Sequence, residues 1–187
     1  MGLPAVFVRL AGCNLRCDFC DTRYAWEGGT PFTQEELMEA IRNVRREFSA
    51  DWICLTGGEP FFQPLAAFTA GLKAAGLKIQ IETNGTLFQQ AQWDWLTLSP
   101  KPPDYFIRPE WTRGADEAKL VIDRTLDLDH LRRIRNALPE QTPVLLQPQS
   151  QMKWSAEKGW ALMRESVEAG MKNIRLTVQL HKILRLK

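Results

Sequence analysis

Short apolar runs alternate along this chain with longer stretches in which apolar residues recur every three or four positions. Residues 5–10, Ala-Val-Phe-Val-Arg-Leu, read as a buried strand of β-branched and aromatic residues with Arg9 as its one charge. A turn-like stretch follows over 24–31, carrying Gly28, Gly29 and Pro31. Thr33-Gln34-Glu35-Glu36 is a capping box, and it opens a helix that presents Leu37, Ile41, Val44 and Phe48 on one face. Further strands are expected at 51–55, 77–82, 95–99, 118–122 and 144–147, with a strand-like run at 174–178. Helices are expected at 64–75 and 155–169, each closed by a glycine, and through Leu126, Leu131, Ile134 and Leu138 up to Pro139. The proline-rich stretch 102–114 reads as a loop with no interior role. Strand and helix alternate, and polar or glycine-bearing residues recur where strands end, which predicts a parallel α/β sheet with ligand loops at its carboxyl edge. So short a chain does not complete an eight-stranded barrel, so the expected architecture is an incomplete barrel of about six parallel strands, open on one side.

Length and composition narrow the picture. At 187 residues with 44% hydrophobic content, the chain is expected to fold as a single domain over 1–187. Basic and acidic residues nearly balance at a net charge of +2, which gives no electrostatic case for nucleic acid or an anionic membrane surface. The longest apolar runs are strand-length, so no transmembrane helix is expected. Met1-Gly2 begins like a myristoylation signal, but Val6 stands where Ser or Thr is wanted. Leu10-Ala11-Gly12-Cys13 imitates a lipoprotein cleavage box, yet no basic segment precedes it and Arg9 interrupts the apolar run. Four cysteines are too few for a disulfide scaffold, and free thiols without a signal peptide indicate a reducing cytosol, hence a cytoplasmic protein.

The chemistry concentrates in Cys13-Asn14-Leu15-Arg16-Cys17-Asp18-Phe19-Cys20-Asp21-Thr22, where three cysteines stand at C-x3-C-x2-C spacing directly after the first strand. Gly12 and the polar residues between the cysteines suit a loop wrapped around a ligand. An iron–sulfur cluster usually takes four thiolates, so three leave one iron open for chemistry. A zinc site of these three cysteines plus Asp21 is the competing reading. Arg9, beside the loop, suits a substrate carboxylate. Gly57 and Gly58, at a strand's end, let a ligand approach the backbone, and Glu59 suits an amino group. Cys54, inside the strand, reads as plain core.

The cysteine spacing, with Phe19 before the third cysteine, resembles the radical S-adenosylmethionine superfamily, in which the open iron of a 4Fe-4S cluster chelates the methionine moiety. More specifically, 7–15, Cys20-Asp21-Thr22, 55–60, 82–86, Ser99-Pro100-Lys101 and Gln179-Leu180-His181-Lys182 resemble the 7-carboxy-7-deazaguanine synthase family. The likeness implies a radical SAM type of incomplete TIM-like barrel. It further implies a carbon–nitrogen lyase that contracts 6-carboxy-5,6,7,8-tetrahydropterin to 7-carboxy-7-deazaguanine with loss of ammonia, towards queuosine and other deazapurines. Carried over by position, Cys13, Cys17 and Cys20 hold the cluster, whose reduced form cleaves S-adenosylmethionine to a 5'-deoxyadenosyl radical. Phe19, Cys20, Asp21, Gly57, Gly58, Glu59, Gly85, Ser99, Pro100, Lys101 and Gln147 surround S-adenosylmethionine. Arg9, Thr83 and the terminal carboxylate of Lys187 contact the pterin, and Thr22 offers a hydroxyl to a Mg2+ ion. His181 serves either the tail or the substrate. The resemblance also implies a homodimer and an electron donor such as flavodoxin or ferredoxin. Family members carry a further segment with a Gln-Gly-Glu-Gly stretch before the first strand, so this chain, as given from Met1, is expected to bind S-adenosylmethionine normally and the pterin poorly. Two other readings stay open: an activase that installs a glycyl radical on a partner protein, and a metal- or cluster-binding module without turnover.

Overall fold

The computed structural model describes residues 3–149 and 152–184. Seven strands follow one another in the order β1 to β7, and the chain falls into two compact units. The first comprises Met1–Arg16, Thr22–Thr83 and Leu87–Leu96; the second comprises Cys17–Asp21, Asn84–Thr86 and Thr97–Lys187.

In the first unit, β1 (Ala5–Leu10), β2 (Trp52–Gly57) and β3 (Lys78–Thr83) are parallel, with Val8 opposite Leu55 and Leu55 opposite Ile81. Parallel neighbours need crossover segments, and the amphipathic stretches between them supply α1 (Gln34–Glu47) and α2 (Ala66–Ala74). The capping box forms as read: the Glu36 N–H donates to Thr33 Oγ1 at 3.1 Å and the Thr33 N–H to Glu36 Oε2 at 2.7 Å. Ile53, Leu55, Leu72, Ile79 and Ile81 are fully buried, each worth about 1.5–3 kcal/mol of apolar transfer. The apolar face expected of α1 is only partly used. Ile41 is buried, but Val44 is exposed, and so is Phe48, which stands in extended conformation just past the helix's end at Glu47.

The second unit carries β5 (Glu117–Ile122), β6 (Val144–Pro148) and β7 (Ile174–Leu176), again parallel, with Val121 opposite Gln147. The end of β4 (Trp95–Leu98) joins β5 through Thr97 and Leu98. Helices α3 (Pro109–Thr112), α4 (Leu128–Ala137), α5 (Lys153–Glu168) and α6 (Leu180–Ile183) complete it. The α/β class and the parallel strands of an incomplete barrel hold, with 174–176 as a seventh strand.

The reading of 102–114 as a loop without interior role is corrected. Trp111, on α3, and Tyr105 are among the largest fully buried side chains. The Tyr105 hydroxyl donates to Asp123 Oδ1 at 2.6 Å, and Asp123 also accepts from the backbone N–H groups of Thr125 and Leu126. Burial alone would raise the Asp123 carboxyl, but these hydrogen bonds outweigh it and hold it below its usual value. A lowered native value means the stabilisation is complete above the unfolded Asp pKa of about 3.9 and is lost as pH falls through the native value. Tyr105→Phe should therefore cost about 1.5–3 kcal/mol in urea unfolding at pH 7. The deficit should shrink in acid, where the wild-type carboxyl takes up its proton. An equal deficit at both pH values would mean that the hydroxyl acts independently of the charge.

Candidate active site

The loop of cysteines leaves β1 through a backbone interlock. The Gly58 N–H donates to Leu10 O and the Glu59 N–H to Gly12 O, both at 2.8 Å, while the Gly12 N–H donates to Ala25 O at 2.9 Å. The two glycines at the end of β2 make this approach possible. A Cβ on Gly58 would stand 2.1 Å from Gly12 O and 2.7 Å from Ala25 O. Gly57 has φ +124° and would meet Leu10 O at 2.3 Å. The same two glycines, read from sequence as room for a ligand, also let the chain's own backbone approach closely. Phe62 closes the other side, its ring 2.6 Å from where a Gly12 Cβ would sit, and Gln63 Nε2 donates to Ala11 O at 2.6 Å. Sequence reasoning gave Ala25, Phe62 and Gln63 no role. A carbonyl acceptor leaves no mark in a sequence, and only the position of Phe62 and Gln63 within four residues of Glu59 hinted at theirs.

Glu59 is 1% exposed. Its Oε1 accepts from the Phe61 N–H at 3.1 Å and from the Thr83 hydroxyl at 2.6 Å. The bond from Thr83, also buried, thus joins a candidate pterin residue to a candidate S-adenosylmethionine residue within the first unit. Thr22 starts a 3-10 turn over Arg23–Ala25, and its hydroxyl lies 3.5 Å from Gly57 O. Arg9 is exposed on β1, its guanidinium 5.7 Å from the centre of the Phe7 ring on the same strand face.

Cys13 belongs to the first unit and Cys17 and Cys20 to the second. None of the three forms a disulfide, and all are of intermediate exposure, whereas Cys54, also outside any disulfide, is buried in β2. The Leu15 N–H points at Cys13 Sγ at 3.4 Å, and the Cys20 N–H closes a turn onto Cys17 O at 3.0 Å. An amide already directed at a sulfur suits a thiolate ligand. The donor set therefore fits an iron–sulfur cluster, which is held by soft thiolates. Among the described residues no group of three His, Cys, Asp or Glu is drawn together around a metal position. Asp21, the fourth ligand of the zinc reading, is engaged elsewhere: its Oδ2 accepts from Lys182 Nζ at 2.6 Å and from Gln179 Nε2 at 3.0 Å. Burial would raise the Asp21 carboxyl, but these hydrogen bonds hold it below the usual carboxylate range.

In the second unit, Gly85 has φ +78°, and its carbonyl accepts from the Arg108 N–H at 3.0 Å. Lys101 Nζ donates to the buried Ser99 hydroxyl, and Gln147 is 8% exposed on β6. Lys187 lies outside the described residues. A cavity of about 550 Å³ adjoins Cys13, with Trp26 and Phe62 in its wall; Gly57, Gly58 and Glu59 do not line it. The candidate S-adenosylmethionine residues do not line it. Among the described residues, no helix is long and apolar enough to cross a membrane.

The Radical SAM superfamily model matches residues 8–138. The 7-carboxy-7-deazaguanine synthase of Aquifex aeolicus is 34% identical over 196 residues, an overlap of 100% of this chain and 87% of that protein. The protein of the same name from Escherichia coli is 30% identical, over 99% of this chain and 91% of its own. The crystal structure of QueE from Escherichia coli aligns at a TM-score of 0.75 and 27% identity, covering 95% of this chain and 86% of that one.

Proposed function

The chain belongs to the radical SAM superfamily and, within it, to the 7-carboxy-7-deazaguanine synthases, and on that premise we propose that it is a single-domain lyase over 1–187. It converts 6-carboxy-5,6,7,8-tetrahydropterin to 7-carboxy-7-deazaguanine and ammonia, on the way to queuosine. The observation that carries this reading is the interlock joining the start of the cysteine loop to Gly58 and Glu59. It fixes a candidate cluster ligand, Cys13, beside the turn that bears the candidate acceptor for an amino group.

Cys13, Cys17 and Cys20 would hold the 4Fe-4S cluster. When bound and reduced, the cluster supplies the electron for radical cleavage of S-adenosylmethionine. The chain's own residues orient the reactants and keep water from them. Glu59, desolvated and oriented by Thr83 and the Phe61 amide, would accept from the methionyl ammonium. A buried carboxylate offers its charge there without competing water. Phe19, Cys20, Asp21, Gly57, Gly58, Gly85, Ser99, Pro100, Lys101 and Gln147 would complete that site. Arg9, Thr83 and the Lys187 carboxylate would face the pterin, with Arg9 pairing to its carboxylate. The protein would work in the cytoplasm as a homodimer, reduced by a flavodoxin or ferredoxin. The activase reading has no observation in its favour.

Thr22 would give its hydroxyl to Mg2+, which keeps several oxygens from water or substrate and few from protein. Turnover should then require Mg2+. Thr22→Ala should raise the Mg2+ concentration for half-maximal rate by about tenfold, since one ligand to a charged centre contributes roughly 1.5 kcal/mol. An unchanged Mg2+ titration in the variant would remove Thr22 from the ion's shell.

A further inference from the structure

The four-residue helix α6 follows β7. A helix of one turn has no stability of its own in water, and the apolar side chains Leu180, Ile183 and Leu184 are 38%, 50% and 55% exposed. Its polar side chains do more. Gln179 Nε2 and Lys182 Nζ both reach Asp21 Oδ2, at 3.0 Å and 2.6 Å, and Gln179 O also accepts the Lys182 N–H. The Lys182 side chain is 25% exposed and that of Asp21 44%, so the pair is partly withdrawn from water and stronger than a fully exposed one. Asp21 has Cys20 on one side and Thr22 on the other. A force on its carboxylate therefore acts on the last cysteine of the loop.

We propose that Gln179 and Lys182 are positioning residues that tie the last turn of the cysteine loop to the C-terminal segment, so that the two are ordered together. The proposal rests on the reading of that loop as the cluster loop. Its physical content is a coupling between segments more than 150 residues apart in sequence. Coupling is reciprocal: whatever loosens α6 loosens residues 17–22, and the reverse. Loop and tail would then reach their working geometry in one step, so a protein with its tail displaced would present Cys17 and Cys20 less well to incoming iron.

Hydrogen exchange on the cluster-free protein tests this without any activity. Lys182→Ala should speed exchange roughly threefold to tenfold in segments 17–22 and 177–184 together, the range for a partly exposed charged pair. Asp21→Asn should do the same to 177–184, and Lys182→Arg should restore both to wild-type protection. A rise in 177–184 alone would make the contact a tail anchor and overturn the proposal. So would a rise spread over β2 and β5, or no rise at all. Uptake of iron by the wild-type protein, measured separately, bears on the cluster reading alone, so the two can fail independently.

Discussion

Cys13→Ala, Cys17→Ala or Cys20→Ala should each leave anaerobically reconstituted protein without its brown colour and with almost no bound iron, whereas Cys54→Ala should bind iron like wild type. Three thiolates is already one fewer than a cluster usually has from protein, so no spare ligand compensates for a loss. Cys13, Cys17 and Cys20 are half-exposed on one loop, where iron can reach them. Cys54 is 3% exposed, within a parallel pairing to Phe7 on one side and Gln80 on the other. Its replacement by Ala should be felt only as a small packing loss of about 1 kcal/mol. Iron analysis and the visible absorption of the four variants separate the roles. Loss of iron from the Cys54 variant alone would reverse the assignment.

Gly58→Ala should destabilise the protein by about 3 kcal/mol or more, beyond the usual cost of overpacking because backbone rather than side chain must give way. The new Cβ would fall 2.1 Å from Gly12 O and 2.7 Å from Ala25 O. Relieving that contact pulls apart the Gly58 and Glu59 amide bonds to Leu10 O and Gly12 O, so reconstituted iron should fall along with stability. Gly71→Ala is the matched control. Gly71 lies on α2, and its Cβ would meet only the far end of the long Gln34 side chain of α1, at 2.9 Å, whose 3.4 Å contact with Ala67 O can shift; Ala in a helix interior gains about 0.5–1 kcal/mol over Gly. Urea unfolding should show a large loss in the first variant and none in the second. A Gly58 variant as stable and iron-loaded as wild type would show that the loop start is not held here.

The fold was legible because helix and strand leave different periods. The alternation in Lys78–Thr83, three buried positions between partly exposed ones, and the capping box of α1 both formed as read. What escaped was set by neighbours that no local pattern reveals. Proline-rich 102–114 looks like surface, yet Tyr105 is buried because its hydroxyl finds Asp123, itself brought round by β5. Val44 and Phe48 fit the apolar face of α1 by period, but both are exposed, and the helix stops at Glu47 with Phe48 extended beyond it. In the site, the cysteine spacing and the Gly-Gly-Glu turn could be read directly from residue type. The carbonyl contacts of Gly57 and Gly58, and the engagement of Asp21 by Gln179 and Lys182, could not. They join segments far apart in sequence through atoms every residue has, or through charges with many possible partners.

One anaerobic incubation decides the reading of the whole site: reconstituted protein with 6-carboxy-5,6,7,8-tetrahydropterin, S-adenosylmethionine, Mg2+ and a reductant, followed by mass analysis. 7-Carboxy-7-deazaguanine and ammonia should form in equal amounts at high pterin concentration, with little net loss of S-adenosylmethionine. Cleavage of S-adenosylmethionine to 5'-deoxyadenosine at the same rate with and without the pterin, and no deazapurine, would contradict it.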